Sequence, residues 1–312
     1  MKFIMRDPTK KFEISAYREQ CDKAHKLALA QQKSELIELL FQMKLDFPDR
    51  LADTYYYLIR AFDELKQPFD KIKQMIEADQ KGIIYRTDKA HYGIGLENVP
   101  EFKKLQKKWD ASKAELAENS ESQLELLMPT NGFCGELLLI LHGDGGSNVS
   151  IEEIWPPQPY LAKGVAVAYL QSPNQFGPLH YFWTSDFVKG RTTVREAIDF
   201  LVSNYGVSEK NITLSGYSGG SMTALSSVTH GEVTVKQCIA FLPCSDEYVG
   251  NKPAQSTQIF VFKGELEPPI DVVMAELNHL ASTKLVKLKG LSHDLPANID
   301  SYILPHLNND LA

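Results

Sequence analysis

The chain has 312 residues, of which 43% are hydrophobic and 23% are charged, a composition typical of soluble globular proteins. Its net charge is −7, from 33 lysines and arginines against 40 aspartates and glutamates. An acidic chain is not drawn by charge to nucleic acid or to anionic membrane surfaces, so the sequence disfavours both partners. Residues 1–120 carry 22 basic and 20 acidic side chains, whereas residues 121–312 carry 11 and 20. This step in charge indicates a domain boundary near residue 120.

The sequence shows no feature of a secreted or membrane-spanning protein. Its first residues become charged after a few apolar positions, unlike a secretory signal, and no apolar run approaches the length of a membrane span. The four cysteines, Cys21, Cys134, Cys238 and Cys244, form no Cys-x-x-Cys pair. They indicate neither a zinc site nor a disulfide framework, so we expect a reduced, cytoplasmic protein.

The first part of the chain has helical periodicity. Between about residues 12 and 120 apolar side chains recur every three to four positions, as at Leu36, Leu39, Leu40 and Met43. Prolines at positions 48 and 68 punctuate the pattern, where they end or start helices. We therefore predict an all-helical domain over residues 1–120.

The second part alternates short apolar runs with amphipathic segments. The predicted strands lie at residues 124–128, 136–141, 165–170, 212–215, 237–242, 258–262 and 285–288, and the predicted helices at 193–205, 219–229, 270–282 and about 297–307. This alternation predicts a mostly parallel α/β sheet, covered by helices on both faces, in a domain spanning residues 121–312. Ligands bind such sheets at the carboxyl ends of the strands.

A Gly-x-Ser-x-Gly motif, Gly216-Tyr217-Ser218-Gly219-Gly220, stands directly between a predicted strand and a predicted helix. In a nucleophile elbow this turn is so sharp that small residues must flank the serine, whose hydroxyl then projects above the sheet. The context therefore predicts Ser218 as a nucleophile.

A serine hydroxyl is a weak nucleophile at neutral pH and needs a base, normally a histidine oriented by a carboxylate. Among the eight histidines, His293 follows the last predicted strand and is the predicted base. The acid should follow the preceding strand, where Glu267 is the predicted partner of the histidine. Glu265 and Asp246 remain alternatives.

Backbone donors for a developing oxyanion are predicted from a glycine-rich turn at residues 142–146, which follows the strand at 136–141. The predicted donors are the amides of Asp144 and Gly219. A long aromatic loop at residues 172–186 supplies His180 and Trp183, which are expected on the substrate side together with Tyr217.

These features together resemble the α/β-hydrolase family, over residues 121–312: a strand–serine–helix turn, the order Ser218, Glu267, His293, and a glycine-rich turn upstream. The Leu-His-Gly-x-Gly strand end, the Gly-x-x-acid-Pro turn and the Gly-x-Ser-His loop are similar to the branch of carboxylesterases, phospholipases and dienelactone hydrolases. The resemblance implies cleavage of carboxylic esters or thioesters without a metal or organic cofactor. The chain departs from it in having Glu267 where aspartate is more usual.

The helical part is similar to a tetratricopeptide helix pair at residues 52–65 and 72–78. Such helices could present a groove to a protein partner or to a second copy of the chain, but packing of the helices on one another and on the α/β part is the preferred interpretation. The leading hypothesis is a serine esterase acting on a small-molecule ester. A peptidase on the same scaffold and a non-catalytic, partner-binding scaffold are the alternatives.

Overall fold

The computed structural model describes residues 1–9, 16–85, 93–245, 248–252 and 256–307. The chain divides into two compact units. The sheet unit comprises Met1–Phe12, Glu121–Asn174 and Phe182–Ala312, and the helical unit comprises Glu13–Ser120 and Gln175–Tyr181. This differs from the predicted division at residue 120 in two segments, because the first twelve residues belong with the sheet and residues 175–181 belong with the helices.

The strands in the described part of the chain are short, and those at the centre of the main sheet are buried along almost their whole length. In chain order they are β1 (Lys2–Arg6), β2 (Gln123–Leu127), β3 (Leu137–Leu141), β4 (Ala166–Leu170), β5 (Gln175–Gly177), β6 (His180–Tyr181), β7 (Ile212–Tyr217), β8 (Gln237–Phe241), β9 (Gln258–Gly264) and β10 (Thr283–Leu288). All seven strands predicted from the sequence are present.

Eight of these strands form one sheet in the order β1-β2-β4-β3-β7-β8-β9-β10. β2 runs antiparallel to β4, and every other neighbouring pair is parallel. The mostly parallel sheet confirms the α/β fold class expected from the sequence. β1 was not predicted; it pairs with β2, whose residues lie more than a hundred positions away along the chain.

The α-helices in the part of the chain that the structure describes are α1 (Ala16–Leu29), α2 (Lys33–Asp46), α3 (Leu51–Glu64), α4 (Pro68–Gln80), α5 (Pro100–Asn119), α6 (Asn148–Ile154), α7 (Gln158–Leu161), α8 (Phe187–Tyr205), α9 (Gly219–Thr229), α10 (Asp271–Leu280) and α11 (Asp300–Ile303). The first five belong to the helical unit. The predicted last helix is shorter than expected, because α11 gives way to a 3₁₀ turn at Leu304–His306. None of the described helices is long and apolar enough to cross a membrane.

Each face of the main sheet has its own apolar core. Alternate residues of β3 supply both, since Leu137, Leu139 and Leu141 pack with α8, α9 and α10 on one side, and Leu138 and Ile140 pack with α6, α7 and α11 on the other. A strand that is buried on both faces is apolar at nearly every position. Fully burying one leucine side chain contributes about 1.5–3 kcal/mol to stability. The sheet is thereby a rigid base for the loops at its carboxyl edge.

The helical unit has a separate core in which consecutive helices pack on one another. Leu40, Met43, Leu58 and Phe62 are buried at its centre. The short hairpin formed by β5 and β6 belongs to this unit, where the backbone carbonyl of Phe176 accepts a hydrogen bond from the Ile84 N–H at 3.1 Å.

Candidate active site

Ser218 occupies the sharp turn between β7 and α9. Its backbone is in the left-handed region, with φ 50° and ψ −118°, a conformation that costs free energy in a non-glycine residue and is held here by its surroundings. The Ser218 N–H donates to the Phe241 carbonyl of β8 at 2.9 Å. The turn also needs glycine at Gly216, where a Cβ would lie only 2.6 Å from the backbone carbonyl carbon of Gly220. Glycine at position 216 therefore allows the close approach that the strained turn requires.

His293 bridges the serine and a carboxylate. Its Nε2 lies 2.8 Å from Ser218 Oγ, and its Nδ1 lies 2.6 Å from Glu267 Oε1. An ionised carboxylate can only accept hydrogen bonds, so the proton of the neutral ring is on Nδ1 and Nε2 is free to accept from the serine hydroxyl. The structure thus brings together Ser218, His293 and Glu267 from three separate loops at the carboxyl edge of the sheet.

The Glu267 carboxylate is held at both oxygens. Oε1 faces His293, and Oε2 accepts the backbone N–H of Gly264 at 3.0 Å. The Lys263 ammonium lies 3.9 Å from Oε2, and the glutamate side chain is only 10% exposed. Lys263 was not predicted as part of the site, although a lysine directly after the apolar residues of a strand was a visible signal.

The alternative acids are not placed against the histidine within the described residues. Glu265 is exposed, and its carboxylate accepts the Gly290 N–H at 2.8 Å. Asp246 lies outside the described residues. Asp294, next to His293 in sequence, accepts a hydrogen bond from the Ser292 hydroxyl at 3.0 Å.

The glycine-rich turn after β3 lies beside the start of α9. A Cβ at Gly219 would overlap the carboxylate of Asp144, so the two residues predicted as oxyanion donors are neighbours in space. The Asp144 carboxylate accepts the Trp183 N–H at 2.7 Å and the Thr184 N–H at 3.2 Å, and it also accepts from the Thr184 hydroxyl. The Asp144 side chain therefore fixes the turn that carries its own amide.

His142 also holds this turn. It is fully buried, and its Nε2 accepts the Ser172 backbone N–H at 3.1 Å. The ring proton is therefore on Nδ1, which faces the Gly143 carbonyl at 2.7 Å. The imidazole thereby links the turn to the loop that carries Ser172.

Tyr217, one of the three residues expected on the substrate side, lies beside His293. It is partly buried, and its hydroxyl donates to the backbone carbonyl of His293 at 2.6 Å. Trp183 is fully buried in the core of the sheet unit, with its ring 5.4 Å from that of His142. His180 is 2% exposed and packs edge-on against Tyr85 in the helical unit. Both side chains are buried within their own units, and their contact with a substrate stays a prediction.

No family model matches the chain, and no curated protein matches it. Among solved structures, it is similar to esterase PE8, with 18% identity and a TM-score of 0.47 over 58% of this chain and 97% of that one. It is also similar to a Bacillus cereus carboxylesterase, with 17% identity and a TM-score of 0.46 over 61% and 95% of the two chains. An uncharacterized protein from Bacillus cereus is 16% identical, with a TM-score of 0.47, and the match covers 94% of this chain and 97% of that one.

Proposed function

We propose that this protein is a serine hydrolase that cleaves carboxylic esters or thioesters through an acyl-enzyme on Ser218. The observation that carries the proposal is the continuous hydrogen-bonded chain from Glu267 through His293 to Ser218. A serine that merely shaped a turn would need neither an imidazole at 2.8 Å nor a buried carboxylate behind it. This arrangement is the one that activates a hydroxyl nucleophile.

In the first step, His293 Nε2 takes the hydroxyl proton of Ser218 as Oγ bonds to the ester carbonyl carbon. The tetrahedral intermediate then loses the alcohol, which leaves with the proton that His293 returns. Water attacks the resulting acyl-enzyme and gives its proton to His293. The carboxylic acid departs as Ser218 regains a proton, so the enzyme ends as it began.

We propose the backbone amides of Asp144 and Gly219 as donors to the oxyanion of both intermediates. The neighbouring positions of the two residues support this role. Gly219 is the first residue of α9, where free N–H groups and the helix dipole favour negative charge. Preorganised donors of this kind are worth about 10²–10³ in kcat.

We propose that the helical unit is tetratricopeptide-like. Apolar residues of the two segments that resemble a tetratricopeptide helix pair are buried, including Leu58, Phe62, Ile72 and Met75. A unit of this type would bind a protein segment or a second copy of the chain. Size-exclusion chromatography with light scattering, on the full chain, tests self-association.

Hydrolysis of p-nitrophenyl esters of increasing acyl length tests the esterase proposal. We expect the wild-type protein to turn over short-chain esters, and Ser218→Ala to abolish turnover while its circular dichroism stays unchanged. Ser301→Ala removes an exposed hydroxyl on α11 and is the matched control, with activity retained. Turnover that survives Ser218→Ala, or turnover of peptide amides but not esters, would refute the proposal.

A further inference from the structure

The site contains a buried lysine that the proposed mechanism does not use. Lys263 is the sixth residue of β9 and is 6% exposed. Its Nζ has no hydrogen-bond partner among the residues that the structure describes. Lysine is almost never fully buried unless it is paired, because removing an ammonium from water is costly. A burial this unfavourable points to a specific role for the charge.

The Lys263 ammonium is close to one oxygen of the Glu267 carboxylate. Nζ lies 3.9 Å from Oε2, and the two side chains are 8% and 10% exposed. At this depth their attraction is screened far less than at the surface. Oε2 also accepts the Gly264 N–H at 3.0 Å, so a backbone dipole and a full positive charge hold the same oxygen. The second oxygen, Oε1, is left to His293.

A glutamate needs this support more than an aspartate would. Its side chain has one more rotatable bond, so the carboxylate must be fixed at a second point before it can orient an imidazole. Each rotatable side chain that is immobilised costs conformational entropy. A cation at Oε2 opposes that loss and biases the carboxylate towards the rotamer in which Oε1 faces Nδ1.

We propose that Lys263 is a positioning residue: its buried ammonium holds Oε2 of Glu267, so that Oε1 orients His293 towards Ser218. The inference deepens the proposed hydrolase function and rests on it for the catalytic consequence. The charge coupling between Lys263 and Glu267 does not depend on catalysis. It can therefore be measured separately.

A double-mutant cycle measures the coupling by thermal unfolding of the full chain. The four proteins are wild type, Lys263→Met, Glu267→Gln and the double variant. Glu267→Gln leaves the buried ammonium without its anion, and we expect Tm to fall by at least about 3 °C. Adding Lys263→Met to that variant should raise Tm, because it removes the unpaired charge, whereas in wild type the same change should lower Tm or leave it unchanged. Equal effects in the two backgrounds would overturn the proposal.

Kinetics of ester hydrolysis supply the second readout. We expect Lys263→Met to lower kcat about tenfold and to leave KM within about twofold, and Lys263→Arg to retain more activity than Lys263→Met. Lys287→Met is the matched control, since Lys287 is the register partner of Lys263 on β10 but is exposed. Its kcat should be unchanged, and an equal loss in the two methionine variants would contradict a local role.

The two readouts separate the proposal from the function on which it rests. If no variant and no wild-type protein hydrolyses an ester, the proposed function fails while the unfolding cycle still reports the coupling. If wild type is active and the cycle is additive, the role of Lys263 fails alone. Lys263→Gln, which keeps a donor without the charge, replaces the methionine variant in the cycle if that variant does not fold.

Discussion

Exchanging Glu267 for glutamine changes one atom of the carboxylate and, on the geometry of the site, reverses the tautomer of His293. The Oε2 position of Glu267 is next to two N–H groups: the Gly264 backbone N–H lies at 3.0 Å, and the Lys263 ammonium lies at 3.9 Å. The glutamine oxygen must occupy that place, because an NH₂ group there would meet only donors. The NH₂ group then points at His293 Nδ1.

The consequence for catalysis follows from the hydrogen-bonding roles of the ring. With NH₂ opposite it, Nδ1 must accept, so the ring proton moves to Nε2. A protonated Nε2 cannot take the proton of Ser218, which lies 2.8 Å away. The analogous exchange in a serine protease triad costs about 10⁴ in kcat, so we expect Glu267→Gln to lose about 10³–10⁴, or about 4–5.5 kcal/mol of transition-state stabilisation.

Steady-state hydrolysis of a short-chain p-nitrophenyl ester is the assay, with Glu265→Gln as the matched control. The Glu265 carboxylate is exposed and accepts the Gly290 N–H, so its exchange should change kcat by less than about twofold. Retention of more than about a tenth of kcat by Glu267→Gln would refute this reasoning. A larger loss of kcat in Glu265→Gln than in Glu267→Gln would show that Glu265, and not Glu267, orients the histidine.

Three further predictions concern other parts of the sheet unit. Tyr217→Phe removes the 2.6 Å hydrogen bond to the His293 carbonyl and should lower kcat about fivefold in the same ester assay; an unchanged kcat would contradict a role in holding that loop. Burial raises the pKa of the Cys238 thiol to about 12, so a thiol reagent at pH 8 should label exposed Cys134 in the native protein and Cys238 only after unfolding, as peptide mass spectrometry would show. Burial lowers the pKa of His306, so the stability that its neutral ring contributes is complete above the unfolded pKa of about 6.5 and is lost as the pH falls below that value. His306→Gln should therefore flatten the dependence of Tm on pH between 7 and 5. An unchanged slope would refute the lowered pKa of His306.

The sheet and the strand–serine–helix turn could be predicted from sequence because their signals are local. A strand buried on both faces must be apolar throughout, as Leu137–Leu141 is, and an elbow needs glycine within two residues of its serine. These requirements act over a few positions. Hence the seven strands and the position of Ser218 between strand and helix were visible without a structure.

The choice of the inward-facing carboxylate and the burial of the loop residues depend on packing that the local sequence does not reveal. Glu265 and Glu267 stand two positions apart, and only the turn that brings the Glu267 N–H to the Gly264 carbonyl at 3.2 Å decides which carboxylate faces inward. Trp183 and His180 were expected near substrate because their loop is long and aromatic. Their burial results from contacts with residues distant in sequence. The pairing of Lys2–Arg6 with β2 is likewise a contact between residues distant in sequence.

Labelling with a fluorophosphonate tests the central claim most directly, because the reagent bonds covalently to an activated serine and releases fluoride. We predict one phosphonyl group per chain, located on Ser218 by peptide mass spectrometry, and no labelling of Ser218→Ala when circular dichroism shows that this variant is folded. The Ser301→Ala control should label as wild type does. Absence of labelling in the folded wild-type protein, or an adduct that persists in Ser218→Ala, would contradict the account.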